Sequence, residues 1–194
     1  MKASLRQTAL FFALIAISFT SFSQTTYKST ALDIRLAGTS NIHDWEMKAI
    51  AGNSQATFVV NANGQVTSLS NLSFSLPAVN LKSGHSAMDK NTYKALKTSV
   101  NPNILFVLTS ADVTAKGGNN YQIKCMGKLT IAGTVKQTDL VATAKYNPSD
   151  KSMTIDGIKK MKMTDYNVAP PKALMGTIKT GDDIAISFNL KFTK

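Results

Sequence analysis

His43 and His85 are the only histidines in this 194-residue chain, so acid–base or metal chemistry would have to start from them. Each has a carboxylate nearby in sequence, Asp44 and Asp89, which makes a histidine–aspartate proton relay conceivable. Adjacent residues on a strand point to opposite faces, however, and that separates His43 from Asp44. A zinc-type site needs three or four converging ligands, and no spacing of His, Cys, Asp and Glu supplies them. Cys125 is the single cysteine, which excludes an intrachain disulfide. Set among alternating apolar residues, it reads as an inert buried thiol. No catalytic residue, metal or cofactor is assigned, and both histidines read as turn or rim residues.

Apolar side chains that can wall a pocket are better represented. Trp45, the lone tryptophan, offers a large apolar face and one donor. Phe58, Phe74, Phe106, Leu129 and Phe188 fall on the apolar side of alternating runs. Tyr166 follows Asp165 and precedes Asn167 and the Pro170-Pro171 pair, where a corner and a contact to a polar ligand head are equally reasonable roles. These seven are the candidate ligand-binding residues. Plain core packing is the competing reading for each phenylalanine, and a plug packed on the core is the competing reading for Trp45.

The elements that would position them are strands. Tyr121, Ile123, Cys125, Gly127, Leu129 and Ile131 alternate with Gln122, Lys124, Met126, Lys128 and Thr130. Ile184, Ile186, Phe188, Leu190 and Phe192 do the same against polar neighbours, as do Leu140, Ala142, Ala144 and Tyr146. One apolar and one wet face per segment is the antiparallel pattern. Strands are predicted over residues 30–39, 44–51, 54–61, 66–81, 103–114, 120–131, 135–146, 151–163 and 183–193. Gly- and Asn-rich punctuation separates them, including Asn63-Gly64, Asn147-Pro148 and Thr180-Gly181-Asp182-Asp183. Ile158 is out of phase with Ile155 and Met161, which suggests a bulge near Gly157. A helical spacing of Met88, Thr92, Tyr93 and Leu96 interrupts the rhythm over residues 86–97, with Ser86 as N-cap and Asp89 three residues on. The expected fold is all-β: a single antiparallel barrel of about eight strands with one short helix, closed so that no sheet edge is left. Small inward residues such as Ala142, Ala144 and Gly127 leave room inside such a barrel.

The N-terminus reads separately. Lys2 and Arg6 precede an uncharged run over residues 9–19, and Ser21 and Ser23 follow at small-x-small spacing. That is the layout of a secretory signal peptide. The run is too short for the roughly 20 residues of a spanning helix, so no stable membrane anchor is expected. Residues 1–23 are assigned to the leader and 24–194 to one domain, periplasmic or secreted. The net charge of +11 comes from lysines scattered singly over strands and turns, without interleaved aromatics, so nucleic acid is not an expected partner.

Several segments resemble the YceI-like family, in that family's order. Gly38-Thr39-Ser40-Asn41-Ile42-His43-Asp44-Trp45 resembles its early strand–turn–strand. Residues Met88 to Leu96, with Pro102 and Phe106, are similar to its helix-to-strand passage. Gly127-Lys128-Leu129-Thr130-Ile131-Ala132-Gly133-Thr134-Val135-Lys136 resembles its "G-x-L-T-I-x-G-V-T-K" hairpin, and Thr164-Asp165-Tyr166 its late polar-acidic-aromatic run. The resemblance implies a lipocalin-like barrel holding a long apolar molecule, with a polyisoprenoid, an isoprenoid quinone or a fatty chain as ligand class, in the bacterial periplasm. Two features depart from the pattern. Asn167 stands where many members have Gly, and Leu96-Lys97-Thr98-Ser99-Val100 replaces an acidic-aromatic stretch before the proline.

Three functions then compete. A carrier or store for an amphiphilic lipid such as a polyisoprenoid or quinone fits best. A solid-core structural or interaction barrel of the cell envelope is the second, and an enzyme acting on an isoprenoid the third. Oligomeric state is left open, a dimer included.

Overall fold

The computed structural model describes residues 24–194. The expected signal peptide, residues 1–23, lies outside them. Eleven strands follow in chain order: β1 (Gln24–Ser40), β2 (Trp45–Ala49), β3 (Asn53–Val60), β4 (Val66–Pro77), β5 (Leu81–Lys82), β6 (Asn103–Gly117), β7 (Asn120–Ile131), β8 (Thr134–Asn147), β9 (Ser152–Lys162), β10 (Lys172–Ala173) and β11 (Ile178–Thr193). Among the described residues one α-helix, α1 (Ser86–Leu96), lies between β5 and β6. The eight long strands form an antiparallel meander, each paired with the next, and β11 returns to β1 from Lys28↔Thr193 to Ser40↔Thr180. This is the closed barrel of about eight strands with one short helix expected from the period-two pattern.

The two ends of the barrel differ. At one end, around the β3–β4, β6–β7 and β8–β9 hairpins, the interior is solid: Tyr27, Phe58, Leu69, Tyr121, Tyr146, Met153 and Phe192 form one buried cluster. Tyr27 meets Phe58 edge-on at 5.2 Å, and Phe58 meets Phe192 at 5.9 Å, geometries favoured by ring quadrupoles. At the other end, α1 and the loop after β9 pack over a second cluster that includes Met47, Leu76, Leu81, Leu96, Tyr166 and Val168.

The local chemistry differs from the sequence expectation at several points. β4 stops at Pro77 instead of running to 81, because proline cannot donate to a ladder. β1 begins at Gln24, earlier than the expected 30, since its first residues pair with β3. The bulge anticipated at Gly157 is absent: β9 pairs with β11 in unbroken register from Met153↔Phe192 to Lys162↔Asp183. Ile158 simply points outward and is 63% exposed. Thr180-Gly181-Asp182-Asp183 is no turn but an irregularity inside β11, where pairing jumps from Gly38↔Ile184 to Ser40↔Thr180. Gly181 is needed there because a Cβ would lie 2.6 Å from the Thr39 hydroxyl.

Helix α1 is started by the His85 backbone, not by a Ser86 side chain, and no side-chain bond caps it. Asp89 reaches back instead: its carboxylate accepts from the Ser83 amide at 2.8 Å and the Ser83 hydroxyl at 2.7 Å. These bonds, with Lys82 3.9 Å away, hold the Asp89 carboxyl below its ordinary value of 3.8. A carboxyl depressed by folding stabilises above that ordinary value, and the contribution is lost as pH falls through the folded value. Asp89→Asn is therefore expected to cost about 1 kcal/mol at pH 7, the difference between charged and neutral hydrogen bonds. Thermal melts should show the gap between variant and wild type closing below pH 4; a gap of constant size from pH 7 to pH 3 would contradict the assignment. Tyr93 fixes the helix from the other side, its hydroxyl donating to the Val79 carbonyl at 2.8 Å and accepting from Lys82 at 2.7 Å.

Candidate ligand-binding cavity

Above the solid end the barrel is hollow. A cavity of 570 Å³ runs up its interior, within the roughly 300–1,000 Å³ typical of small-molecule sites. Phe192 forms its floor, and the inward rows of β7 (Ile123, Cys125, Leu129) and β11 (Ile184, Ile186, Phe188) form much of its wall. Its mouth is framed by Ile42 and His43 from the β1–β2 turn, by Met88 and Asn91 from α1, and by residues 171–173. The mouth is fastened: Asn41 donates from Nδ2 to the Thr177 carbonyl at 2.9 Å and accepts from the Lys179 amide at 2.8 Å.

The hollow depends on where the large rings lie. A Cβ at Gly127 would overlap the Phe106 ring and stand 2.7 Å from the Val107 carbonyl. One at Gly157 would stand 2.6 Å from the tip of Phe188, its cross-strand partner. The Trp45 indole likewise covers Gly38, opposite it on β1, and donates to the Thr39 carbonyl at 2.9 Å. Each ring thus lies along the wall over a neighbouring strand's bare backbone instead of projecting to the barrel axis. Glycine permits that close approach, directly opposite Trp45 and Phe188 and two residues along β7 from Leu129, the partner of Phe106.

Six of the seven residues singled out from sequence, Trp45, Phe74, Phe106, Leu129, Tyr166 and Phe188, line this one cavity. Phe58 does not. It is 1% exposed and lies beneath the floor, between Tyr27 and Phe192, because it stands near the hairpin end of β3, on the solid side. Tyr166 sits in a short 3-10 turn, residues Thr164–Tyr166, closed by Asn167 at φ 55°. Asparagine is the residue after glycine best suited to that left-handed conformation, so the family's usual glycine is replaced at no great cost. Burial, with Asp165 adding, pushes the Tyr166 hydroxyl up.

Polar groups at the wall do not converge as a catalytic set. His43 Nδ1 lies 2.7 Å from the Asp44 carbonyl oxygen, so its near partner is backbone and not the carboxylate. His85 starts the helix, and both rings lie at the cavity rim. Cys125 faces the cavity, and burial pushes its thiol up to about 11, away from thiolate reactivity. Among the described residues no three His, Cys, Asp or Glu side chains are placed to hold a metal ion.

Sequence reasoning missed the helix and polar liners. Met88, Ala95 and Leu96 on α1 close the top of the cavity, and their helical spacing was visible without indicating what they cover. Lys159 also faces inward and pairs with Asp139 at 3.0 Å. Its signal was the same phase that carries Met153, Ile155 and Met161 to the inner face.

A closed antiparallel meander, solid at one end and hollow under a helix at the other, defines the class of cavity-bearing calyx barrels. The chain belongs to the YceI-like family: the model of a YceI-like domain matches residues 37–192. Solved structures of similar fold include BcnA from Burkholderia cenocepacia, at 17% identity and a TM-score of 0.65 over 82% of this chain and 95% of that one. A polyisoprenoid-binding domain from Saccharophagus degradans matches at 9% identity and a TM-score of 0.65, covering 88% and 99%. A YCEI protein of Campylobacter jejuni matches at 16% identity and 0.54, covering 72% and 80%. No curated protein matches the chain.

Proposed function

We propose that the protein binds a long-chain amphiphilic lipid, an isoprenoid, isoprenoid quinone or fatty chain, inside the barrel, for transport or storage and without chemical conversion. The observation that carries this reading is the 570 Å³ cavity with almost wholly apolar walls. Burial of apolar surface is the main favourable term such a wall can offer. Family membership and the likeness to a polyisoprenoid-binding domain support the same ligand class. A binding role is favoured over catalysis because, among the described residues, no nucleophile, base and orienting group meet at the wall. Mass spectrometry of organic extracts from protein purified out of lipid-containing lysate tests it: a co-purifying long-chain lipid is expected. Protein that emerges empty and takes up no prenyl or acyl chain when offered one would overturn lipid binding and favour an interaction module instead.

The leader-like pattern of residues 1–23 supports a periplasmic or secreted location, which is part of this proposal. N-terminal sequencing of exported protein is expected to begin near Gln24; intact Met1 in the membrane fraction would refute this.

A further inference from the structure

The β8–β9 ladder stops at Ala142↔Gly157. Yet β8 stays paired with β7 as far as Thr134, and β9 with β11 as far as Lys162. Residues 134–141 and 158–162 therefore border a seam in the wall that no ladder spans. Its upper end is closed by Asn167, whose Nδ2 donates to the Thr134 hydroxyl at 3.1 Å, and by Tyr166 beside it. Side chains cross what the backbone does not.

Lys159 is the residue that crosses. It lies on the inward row of β9, paired with Ile186 of β11, and lines the apolar cavity. Its ammonium nevertheless meets Asp139 at 3.0 Å, and the Asp139 side chain is 72% exposed while that of Lys159 is 24% exposed. The lysine stem thus runs from the inner face into the seam, to a counter-charge that borders the cavity yet is largely open to solvent. A pair with one partner so exposed is held weakly, whereas an ammonium left unpaired at an apolar wall is costly. Thr138 and Tyr166, both also cavity liners, add hydroxyl groups at the same seam. Lys136, 6.0 Å over the Tyr166 ring, adds a second cation.

We propose that this seam is a head-group site for an amphiphile with one anionic oxygen head, carboxylate or phosphate ester, whose oxygen takes the place of Asp139 on Lys159 while the chain fills the cavity. The proposal rests on the lipid-binding reading and adds the charge and position of the head. Lysine as a mobile point charge suits either head. Asp139, released, turns to solvent, where it is already largely exposed.

The test compares dodecanoate, dodecyl phosphate and dodecanol, three chains of one length, by titration calorimetry with wild type, Lys159→Met and Asp139→Asn. Wild type is expected to favour the anionic heads over the alcohol by about tenfold, the yield of one charge-assisted hydrogen bond. Lys159→Met, whose fold is checked by circular dichroism, should bring that ratio to about one. Asp139→Asn should raise it, because the competing carboxylate is gone; this second variant does not depend on the first remaining folded. Preference for carboxylate alone or phosphate alone would identify the source of the head within the proposal. A ratio near one in wild type, or unchanged by both variants, overturns the head-group site while leaving the cavity reading intact. Failure of all three amphiphiles to bind overturns both.

Discussion

Affinity for straight-chain amphiphiles of one head group is expected to rise about fourfold with each added methylene, then level off. The slope follows from burial of about 0.8 kcal/mol per CH₂. Going from eight to twelve carbons should therefore tighten binding roughly 200-fold. The plateau is set by the floor: Phe192, backed by Phe58 and Tyr27, ends the 570 Å³ cavity, so further methylenes stay in water at the mouth and gain nothing. A chelator should leave the whole series unchanged, since among the described residues no three His, Cys, Asp or Glu side chains converge to hold a metal ion. Displacement of a fluorescent apolar probe across the series measures the slope, and affinity independent of chain length would show that burial is not the driving force.

The second large effect is expected from a single methyl group. Gly127→Ala puts a Cβ into the Phe106 ring and 2.7 Å from the Val107 carbonyl. The backbone oxygen cannot retreat without disturbing the β6–β7 ladder, and the ring has only the lumen to move into. A loss of about 1–3 kcal/mol in stability is expected, as for other overpacked sites, together with a sharp drop in ligand affinity as the ring occupies the cavity. Phe106→Ala separates the two causes. In that background the ring contact is gone and only the carbonyl contact remains, so the penalty of Gly127→Ala should shrink, leaving a coupling energy of about 0.5–3 kcal/mol. Denaturant unfolding of the four proteins measures it. Strictly additive penalties would mean that the ring is not held against the wall by the glycine.

Much of the barrel was legible because period two is a direct imprint of which face a side chain takes. The rows Tyr121–Ile131 and Ile184–Phe192 needed nothing else. Alternation says nothing about height along the barrel axis, however, and this is why Phe58 was grouped with Phe74 and Phe106 although it lies beneath the floor. Lys159 was hidden by a different assumption. Ile158, out of phase with Ile155 and Met161, invites the inference that the strand slips near Gly157, and a slip there would carry Lys159 away from the inner face. The strand keeps its register; glycine serves Phe188, and lysine reaches water through a gap that only tertiary pairing reveals. Thr180-Gly181-Asp182-Asp183 misled for a related reason. Turn chemistry and bulge chemistry draw on the same residues, and the partner strand decides between them.

The pairing of β1 with β11 joins Lys28 to Thr193, nearly the full length of the domain apart. Contacts of such sequence separation must be met by loop-closure entropy before they return any stability, which makes folding slow. No partial chain can complete this barrel: until the last strand is synthesised, β1 lacks its neighbour along most of its length and the cavity has no closed wall. A polypeptide emerging from the ribosome would therefore remain open and threadable until its final residues appear. For a protein that we propose is exported, the topology itself keeps the cavity open at least until β11 is synthesised.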